Sequence, residues 1–444
     1  MNGRAARWKD ALRTQLWPLP TAAVTLAVAS GTMFTALDAA VEGQLRGGAG
    51  VLLFSGGPEA ARAVLQAIAG SLITVTSLTF SLTVVTLQLA SSQFSPRLLR
   101  TFTADRFVHA TLALFLAAYA FSLTVLRSVR DEGNGNEAFV PEISVTIAFL
   151  LAIASVIGLV LFLAHLTREI RVETMMRRVN VETQDTMDRV FPQDRPGRGS
   201  EPEPGPAQAV IIIKSAHSGF LTSVDKASLM QTAAGAGAVI RVDREPGSSL
   251  VEGVPFATAW PATAGAPFTA EVREGLRTSV NAAVATGFER TNVQDVGFGF
   301  RQLVDVAARA LSPGINDPTT AVHIIGHLSA LLCRLMVRNP GPEHLTDDEG
   351  RVRVVLALPT FTDFLDLSLN QPRLYGASDP DVAARLLQLL QELSWCDRNG
   401  QCRAEILEHR ERMRAAIGAG KYSPAERQHL LDLAAEVGSS RPSG

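Results

Sequence analysis

Four long runs without an Asp, Glu, Lys or Arg side chain lie in the first part of the chain, and they limit what it can fold into. They span Leu19–Leu37, Ala63–Pro96, Phe107–Leu126 and Ile143–Leu166. A helix rises about 1.5 Å per residue, so about 20 residues cross the roughly 30 Å hydrocarbon core of a bilayer. We therefore predict a transmembrane domain at 1–190 with four helices, at about 19–37, 63–90, 107–126 and 143–166, the last extended into the cytosol, and with the lipid bilayer as a partner.

The composition agrees with a protein that lies partly in a membrane. The 444 residues are 47% hydrophobic and only 19% charged, which is more apolar than an ordinary soluble protein. A formal net charge of −2 leaves no basic excess, so we expect no nucleic-acid partner. A cleaved signal peptide is the alternative for the first run, but that run exceeds the usual length of about 7–15 apolar residues and no small-x-small cleavage site follows it.

The positions of Lys and Arg predict the orientation. Positive side chains are concentrated before the first run, between the second and third runs, and after the fourth, and such segments favour the cytoplasm. They are Arg4, Arg7, Lys9, Arg13, Arg97, Arg100, Arg106, Arg168, Arg171, Arg177 and Arg178. We predict a multi-pass protein of the inner (plasma) membrane with both termini in the cytoplasm.

The second run contains Ser71–Pro96, SLITVTSLTFSLTVVTLQLASSQFSP, which is uncharged but rich in hydroxyl side chains. A charge-free run of this length does not fit a soluble sheet, and a lone strand in lipid leaves its backbone unpaired, so we predict a helix. Helical spacing places a polar stripe on one face: Thr76, Thr79, Thr83, Thr86 and Gln93. The stripe either packs against a neighbouring helix or lines a water path in a homo-oligomer. In the second case a cationic cytoplasmic mouth follows it, formed by Arg97, Arg100 and Arg106.

The chain after the fourth run has a different pattern, and we predict a cytosolic α+β region. A Pro- and Gly-rich linker occupies 191–207, and short β-branched runs with Gly, Pro and Asp turns predict a small β-rich, barrel-like module at 208–262. A helical cytosolic domain is predicted for 263–444. Its helices are expected at Thr269–Thr286, Val293–Leu311, Thr319–Arg338, Val352–Ser368, Asp379–Trp395, Gln401–Ile417 and Pro424–Val437.

One corner between two of these helices is sharply specified. In LSPGINDPTTAV the Pro-Gly pair stops one helix, and Asp followed by Pro is the N-cap and N1 pattern of the next. The corner consists of Ser312, Pro313, Gly314, Asn316, Asp317 and Pro318. It serves either as a helix corner or as a ligand site, and capping preferences favour the corner.

Other patterns indicate no metal, cofactor or catalytic residue. His323 and His327 are four residues apart, but no H-E-x-x-H arrangement accompanies them, and Cys396, Cys402 and His409 fit no standard zinc spacing. Three cysteines do not form a disulfide framework, so we expect free thiols. The sequence contains no G-x-S-x-G, Walker A, G-x-G-x-x-G or kinase motif.

Three segments are similar to those of a bacterial family of predicted membrane proteins known as domain of unknown function 2254. They are FSLTVVTLQLASSQFSPRLLRTFTADR, the pair SGFLTSVD and GSSLVEGVP, and DVGFGFRQLVDVAARALSPGINDPTTA. The resemblance implies an N-terminal membrane region and a cytosolic C-terminal domain, and no activity. Two hypotheses follow: a homo-oligomeric channel-like or transport-related protein with a cytosolic regulatory domain, or a membrane-anchored cytosolic sensor, scaffold or binding domain. The ligand or ion is not predicted.

Overall fold

The computed structural model describes residues 17–41, 53–93, 105–131, 138–169, 172–193, 210–263 and 268–439, with the backbone alone at 89–93, 169 and 172. The chain forms two compact units, Met1–Met175 and Met176–Gly444. The predicted linker falls mostly in residues 194–209, outside the described residues.

The described part of the first unit contains four helices, and each begins where the sequence provides a start signal. They are α1 (Pro18–Val41), α2 (Pro58–Gln93), α3 (Arg106–Ser128) and α4 (Glu142–Glu169). Proline starts α1 and α2, Pro141 precedes α4, and the Asp105 carboxylate caps α3 by accepting from the Phe107 N–H at 2.9 Å. The Thr-rich run is thus helical over the described part of Ser71–Pro96.

The four helices bury one set of side chains and expose another. Helix α3 packs against the other three, around a core that includes Leu65, Phe121 and Val125. Large apolar side chains such as Leu26, Leu78 and Val160 are exposed, and an outward apolar surface is what a lipid-facing bundle requires. All four helices are long and apolar enough to cross a membrane.

A carboxylate near the end of α1 caps the start of α4. The Asp38 side chain is buried and accepts from the Ile143 N–H at 2.9 Å, the Ser144 N–H at 3.0 Å and the Ser144 hydroxyl at 2.6 Å. The first N–H groups of a helix have no partner within the helix and carry partial positive charge. Asp38 therefore satisfies the N-terminus of α4 and ties two distant segments of the chain together.

The described residues of the second unit form two open sheets. Its strands are β1 (Ile211–Lys214), β2 (Gly219–Val224), β3 (Ala238–Val242), β4 (Ser249–Leu250), β5 (Pro255–Pro261), β6 (Val284–Gly287), β7 (Glu343–Thr346) and β8 (Val352–Leu356). The larger sheet has the order β1-β5-β3-β8-β7 and the smaller the order β4-β2-β6. Only β3 and β8 pair in parallel among the described strands, with Val242 opposite Leu356.

The structure describes nine helices from Val172 onward. They are α5 (Val172–Val190), α6 (Lys226–Gly235), α7 (Ala270–Ala282), α8 (Val296–Ala310), α9 (Pro318–Met336), α10 (Phe361–Gly376), α11 (Pro380–Cys396), α12 (Arg403–Ala419) and α13 (Pro424–Glu436). Some pack on the sheets, and the others pack on one another in a helical layer. Helix α9 is also long and apolar enough to be a candidate span, the fifth in the part of the chain that the structure describes. It packs against α8, α10 and α11.

Helices α5 and α8 approach closely at Gly299. A Cβ atom at this position would lie 2.9 Å from Cβ and 3.0 Å from Cγ2 of Thr183, and would overlap the Thr183 hydroxyl oxygen. Thr183 is buried, and its hydroxyl donates to the Val179 carbonyl at 2.6 Å. Gly299 is therefore required by space, because the facing group is the branched base of a side chain and not a flexible end.

Three sequence expectations for this region are wrong. The β-rich part does not close into a barrel over the described residues, because β1 and β3 both pair with β5 and leave β2 to a separate sheet. The expected helix at Thr269–Thr286 ends at Ala282 and is followed by β6. The expected helix at Val352–Ser368 is instead β8 and then α10, because VRVVL is β-branched and Thr360 caps a new helix after Pro359. Residue 262 is the predicted end of the β-rich module, but β6 and β8, which follow it, pair with β2 and β3, which precede it.

Candidate functional site

A polar cavity of about 510 Å³ lies beyond the carboxyl ends of β3 and β8. Glu245 follows β3 by three residues, Pro359 follows β8 by three, and both line the cavity. Its charged lining consists of Glu245, Asp295, Asp363, Asp366, Arg290 and Arg301. Ligand sites in open α/β sheets favour this edge of parallel strands. Four carboxylates against two guanidinium groups give the cavity a negative character.

Asp295 and Arg290 form a two-point ion pair in the cavity wall. Arg290 donates from Nε to one carboxylate oxygen at 2.8 Å and from Nη2 to the other at 3.0 Å. Asp295 also caps α8 by accepting from the Phe298 N–H at 2.9 Å, and the Arg290 guanidinium lies 5.5 Å from the centre of the Phe298 ring. Burial raises the pKa of Asp295, and the bonds from Arg290 oppose this rise.

A glycine allows the loop after β3 to reach this pair. Gly247 has a φ of +93°, and a Cβ atom there would overlap the Asp295 carboxylate. Its N–H donates to the Leu221 carbonyl at 2.7 Å. The backbone conformation and the contact both exclude a side chain at this position.

Two carboxylates of the cavity, Glu245 and Asp363, form no ion pair with any described residue. Asp363 is exposed and accepts from Thr360, whereas Glu245 is half-buried. Burial raises the pKa of Glu245, and the nearby carboxylates of Asp363 and Asp295 raise it further, while Arg290 acts in the opposite direction. A positive group placed in the cavity would relieve both the desolvation and the repulsion.

The far side of the cavity is held by a bonded carboxylate. Asp366 accepts from Arg412 at 2.9 Å and from Asn370 at 3.1 Å, and His409 Nε2 lies 3.2 Å from the same oxygen. Burial acts to raise the pKa of Asp366, but the bonds from Arg412 and Asn370 outweigh it and hold the pKa below its usual range. Asp366 is therefore ionised at neutral pH.

The polar stripe predicted in the membrane region lies on α2 of the first unit. Thr76, Thr79, Thr83 and Thr86 are buried, and each hydroxyl donates to the carbonyl four residues earlier at 2.7–2.8 Å. The stripe continues a buried apolar row formed by Ala61, Leu65, Ile68 and Leu72. Gln93 is the last residue of α2, and its side chain lies outside the description.

The other predicted site residues fall in two places. Arg106 begins α3 and is exposed, whereas Arg97 and Arg100 lie outside the described residues.

The Ser312–Pro318 corner joins α8 to α9, with Asn316 at a φ of 50°. Asp317 accepts from the Thr320 N–H at 3.0 Å and so caps α9. A ligand role for the corner stays a prediction.

The candidate metal residues do not form a cluster. Among the described residues, no three His, Cys, Asp or Glu side chains are grouped to hold a metal ion. His327 Nδ1 instead lies 3.3 Å from the Asn180 amide nitrogen. The thiols of Cys333, Cys396 and Cys402 are free and half-buried.

The sequence patterns missed the polar cavity, although one quoted segment contributes to it. DVGFGFRQ supplies Asp295, Gly297 and Arg301 to the lining. The available signal was the aspartate directly before an apolar helical pattern, which is an N-cap, with an arginine five residues earlier. Its convergence with Glu245 and α10 requires the fold.

Comparisons with known proteins cover most of the chain. Residues 13–392 match the family described as Predicted membrane protein (DUF2254). The chain is 35% identical over 390 residues to an uncharacterized protein of Mycobacterium bovis and, equally, to one of Mycobacterium tuberculosis. Each alignment covers 87% of this chain and 73% of the relative. No solved structure matches the chain.

Proposed function

This chain belongs to the DUF2254 family of predicted membrane proteins, and on that premise we propose that it is a membrane-anchored binding protein whose polar cavity takes a small organic cation. The observation that carries the proposal is Glu245, a half-buried carboxylate with a raised pKa in a cavity with excess negative charge. An ammonium or guanidinium group is the partner that such a carboxylate lacks. The cytosolic unit would then act as a sensor or binding domain.

The membrane arrangement in this proposal follows the sequence. Helices α1 to α4 cross the inner (plasma) membrane, the second unit lies in the cytoplasm, and both termini are cytoplasmic. The distribution of Lys and Arg supports this orientation. Helix α9 is not a span in this proposal, since its buried side chains, including Ile324, Leu328 and Leu332, pack within the helical layer of the second unit. The predicted boundaries at 190, 207 and 262 remain part of the proposal.

The binding prediction concerns Glu245 and its protonation. Putrescine, a diammonium probe, should bind the full-length protein in nanodiscs of zwitterionic lipid, and 1,4-butanediol, its neutral counterpart, should not. Glu245→Gln should weaken putrescine binding about tenfold, because a hydrogen bond to a charged group contributes about 1.5–3 kcal/mol. Wild-type affinity should rise with pH through the raised pKa of Glu245, since the carboxylate is the binding form. Isothermal titration calorimetry measures both effects.

Stability provides an independent control for the same residue. A carboxyl group whose pKa is raised by folding stabilises the protein below its unfolded pKa, and this contribution is lost as pH rises through the folded pKa. At neutral pH the ionised Glu245 has lost this contribution, and glutamine removes the buried charge. Without putrescine, the Glu245→Gln protein should therefore melt at a higher temperature than wild type. Glu271→Gln, on the exposed face of α7, is the matched control and should change neither property. Equal putrescine affinity in wild type and Glu245→Gln would refute the proposed site.

A homo-oligomeric channel-like role is the second candidate, and the polar stripe on α2 is the observation in its favour. A water path needs wetted hydroxyl groups at the centre of an oligomer. Helix packing is supported instead by the burial of Thr76, Thr79, Thr83 and Thr86 within one copy of the chain and by their bonds to their own helix. Packing is therefore the assignment in the primary proposal.

Cysteine scanning distinguishes the two candidates. In a background without the native cysteines, cysteines at positions 76, 79, 83 and 86 should react with a membrane-impermeant thiol reagent no faster than cysteines at 78, 82 and 85. A cysteine replacing Arg178 is the reference for orientation, and it should react only after the cells are opened. Selective labelling of the four threonine positions would replace the anchor proposal with the channel.

A further inference from the structure

A second cavity, of about 280 Å³, lies at the same edge of the parallel strand pair and is lined by different residues. Its walls are mostly apolar and buried: Val190, Val224, Val242, Pro246, Leu356 and Leu358. Val242 and Leu356 are the paired last residues of β3 and β8. The cavity therefore opens directly from the core of the larger sheet, and we call it the apolar cavity.

The charged side chains at the apolar cavity are mainly positive. They are Arg189, Lys226 and Arg244, and Glu343 is the one carboxylate among the described lining residues. Lys226 Nζ lies 2.8 Å and 2.7 Å from the two Glu343 oxygens, so this pair is internally compensated. Arg189 donates to the Thr186 hydroxyl at 2.9 Å and to the Asn292 carbonyl at 3.3 Å. Arg244 forms no ion pair with any residue that the structure describes.

Backbone groups of Val224, Val242 and Ala357 at the apolar cavity are already paired. The Gln294 side chain accepts from the Val224 N–H at 2.9 Å and donates to the Val224 carbonyl at 3.1 Å, so it acts as a strand partner. The Ala357 N–H donates to the Val242 carbonyl at 3.0 Å. With these backbone groups already bonded, the wall offers apolar contact to the body of a ligand. The charged group without an ion-pair partner among the described residues is Arg244, which is positive.

We propose that the apolar cavity binds an amphipathic anion, with a hydrocarbon or aromatic body against Val242 and Leu356 and a carboxylate or similar oxyanion held by Arg244 and Arg189. Inorganic anions fit less well, because they leave the apolar wall in contact with water. Neutral apolar molecules leave the guanidinium groups without a counter-ion. The site shares no lining residue with the polar cavity, so the inference does not depend on the putrescine site.

The test uses 2-naphthoate as the probe, 2-naphthamide as its neutral counterpart and acetate as the bare anion. Full-length protein in nanodiscs of zwitterionic lipid is titrated with each compound, and empty nanodiscs correct for partitioning into lipid. We expect saturable 2-naphthoate binding, with 2-naphthamide and acetate each bound at least about tenfold more weakly. The fluorescence of the naphthalene ring and isothermal titration calorimetry give independent readouts.

Two variants assign the binding to this cavity. Arg244→Gln should weaken 2-naphthoate binding about tenfold and leave 2-naphthamide binding unchanged, since only the charged contact is lost. Ala357→Leu places extra carbons in the cavity and should abolish binding of both aromatic compounds. Arg277→Gln, a charge change on α7 away from both cavities, is the matched control.

Three results would overturn the inference: equal affinity for 2-naphthoate and 2-naphthamide, unchanged 2-naphthoate affinity in Arg244→Gln, or no saturable binding to a folded wild-type protein. Circular dichroism of each variant confirms folding. Arg244 is exposed, so its replacement leaves the fold intact and keeps the test valid even where Ala357→Leu does not fold. Putrescine binding serves as the separate reference for the polar cavity.

Discussion

Gly299→Ala should lower the free energy of unfolding of the second unit by about 2 kcal/mol. The new methyl group would lie 2.9 Å from Cβ of Thr183 and would overlap its hydroxyl oxygen, so α8 has to move away from α5. Overpacking of this kind costs about 1–3 kcal/mol. It opposes and exceeds the gain of about 1 kcal/mol that alanine normally gives over glycine inside a helix.

The direction of the stability change, compared with that of a second glycine-to-alanine substitution, tests this prediction. Gly275 lies within α7, and a Cβ atom there meets nothing within 4 Å, so Gly275→Ala should stabilise the protein. Thermal unfolding of the full-length variants measures the difference, and hydrogen exchange of peptides from α5 and α8 locates it. If Gly299→Ala and Gly275→Ala shift the melting temperature in the same direction, the close approach of α5 and α8 is incorrect.

Asp38→Ala should cost the first unit about 3 kcal/mol. The substitution leaves the Ile143 N–H, the Ser144 N–H and the Ser144 hydroxyl without their acceptor at a buried position. Each unsatisfied buried group costs about 1–3 kcal/mol, and partial rehydration at the end of a membrane helix reduces the sum. Asp38→Asn keeps one acceptor oxygen and should lose about 1 kcal/mol.

Titration of the reconstituted protein with sodium dodecyl sulfate measures this loss. Thr35→Ala is the control on the same helix, because the Thr35 hydroxyl donates to the Thr32 carbonyl of its own helix and is exposed. It should be close to neutral. Equal stability of Asp38→Ala, Asp38→Asn and wild type would show that the contact between α1 and α4 carries no energy.

The parts of the fold that the sequence predicts well are those set by local chemistry. A membrane helix satisfies its own backbone, so the length of an apolar run is enough to place α1 to α4. The same holds for Asp317, whose capping bond to Thr320 depends on neighbours along the chain. Family membership was equally accessible, since the quoted segments are specific, and it is confirmed.

The rest depends on contacts between distant residues. The valines of VRVVL favour a strand, but a run this short is also compatible with a helix on periodicity alone, and its pairing with β3 and β7 is what makes it a strand. Asp38 ends up at the start of α4, more than 100 residues away, and nothing near it in the sequence marks this role. The polar cavity likewise combines Glu245, Asp295 and Asp363, which come from three separate segments.

The loop after β3 separates the two cavities, and its successive residues line them alternately. Arg244 and Pro246 line the apolar cavity, while Glu245 between them lines the polar cavity. The loop after β8 alternates in a similar way, with Leu358 on one side and Pro359 on the other. Ligands in the two cavities would contact opposite sides of the same two loops, so both act on the conformation of those loops. If a ligand in one cavity changes the affinity of the other, thermodynamic reciprocity requires the second ligand to change the affinity for the first by the same factor.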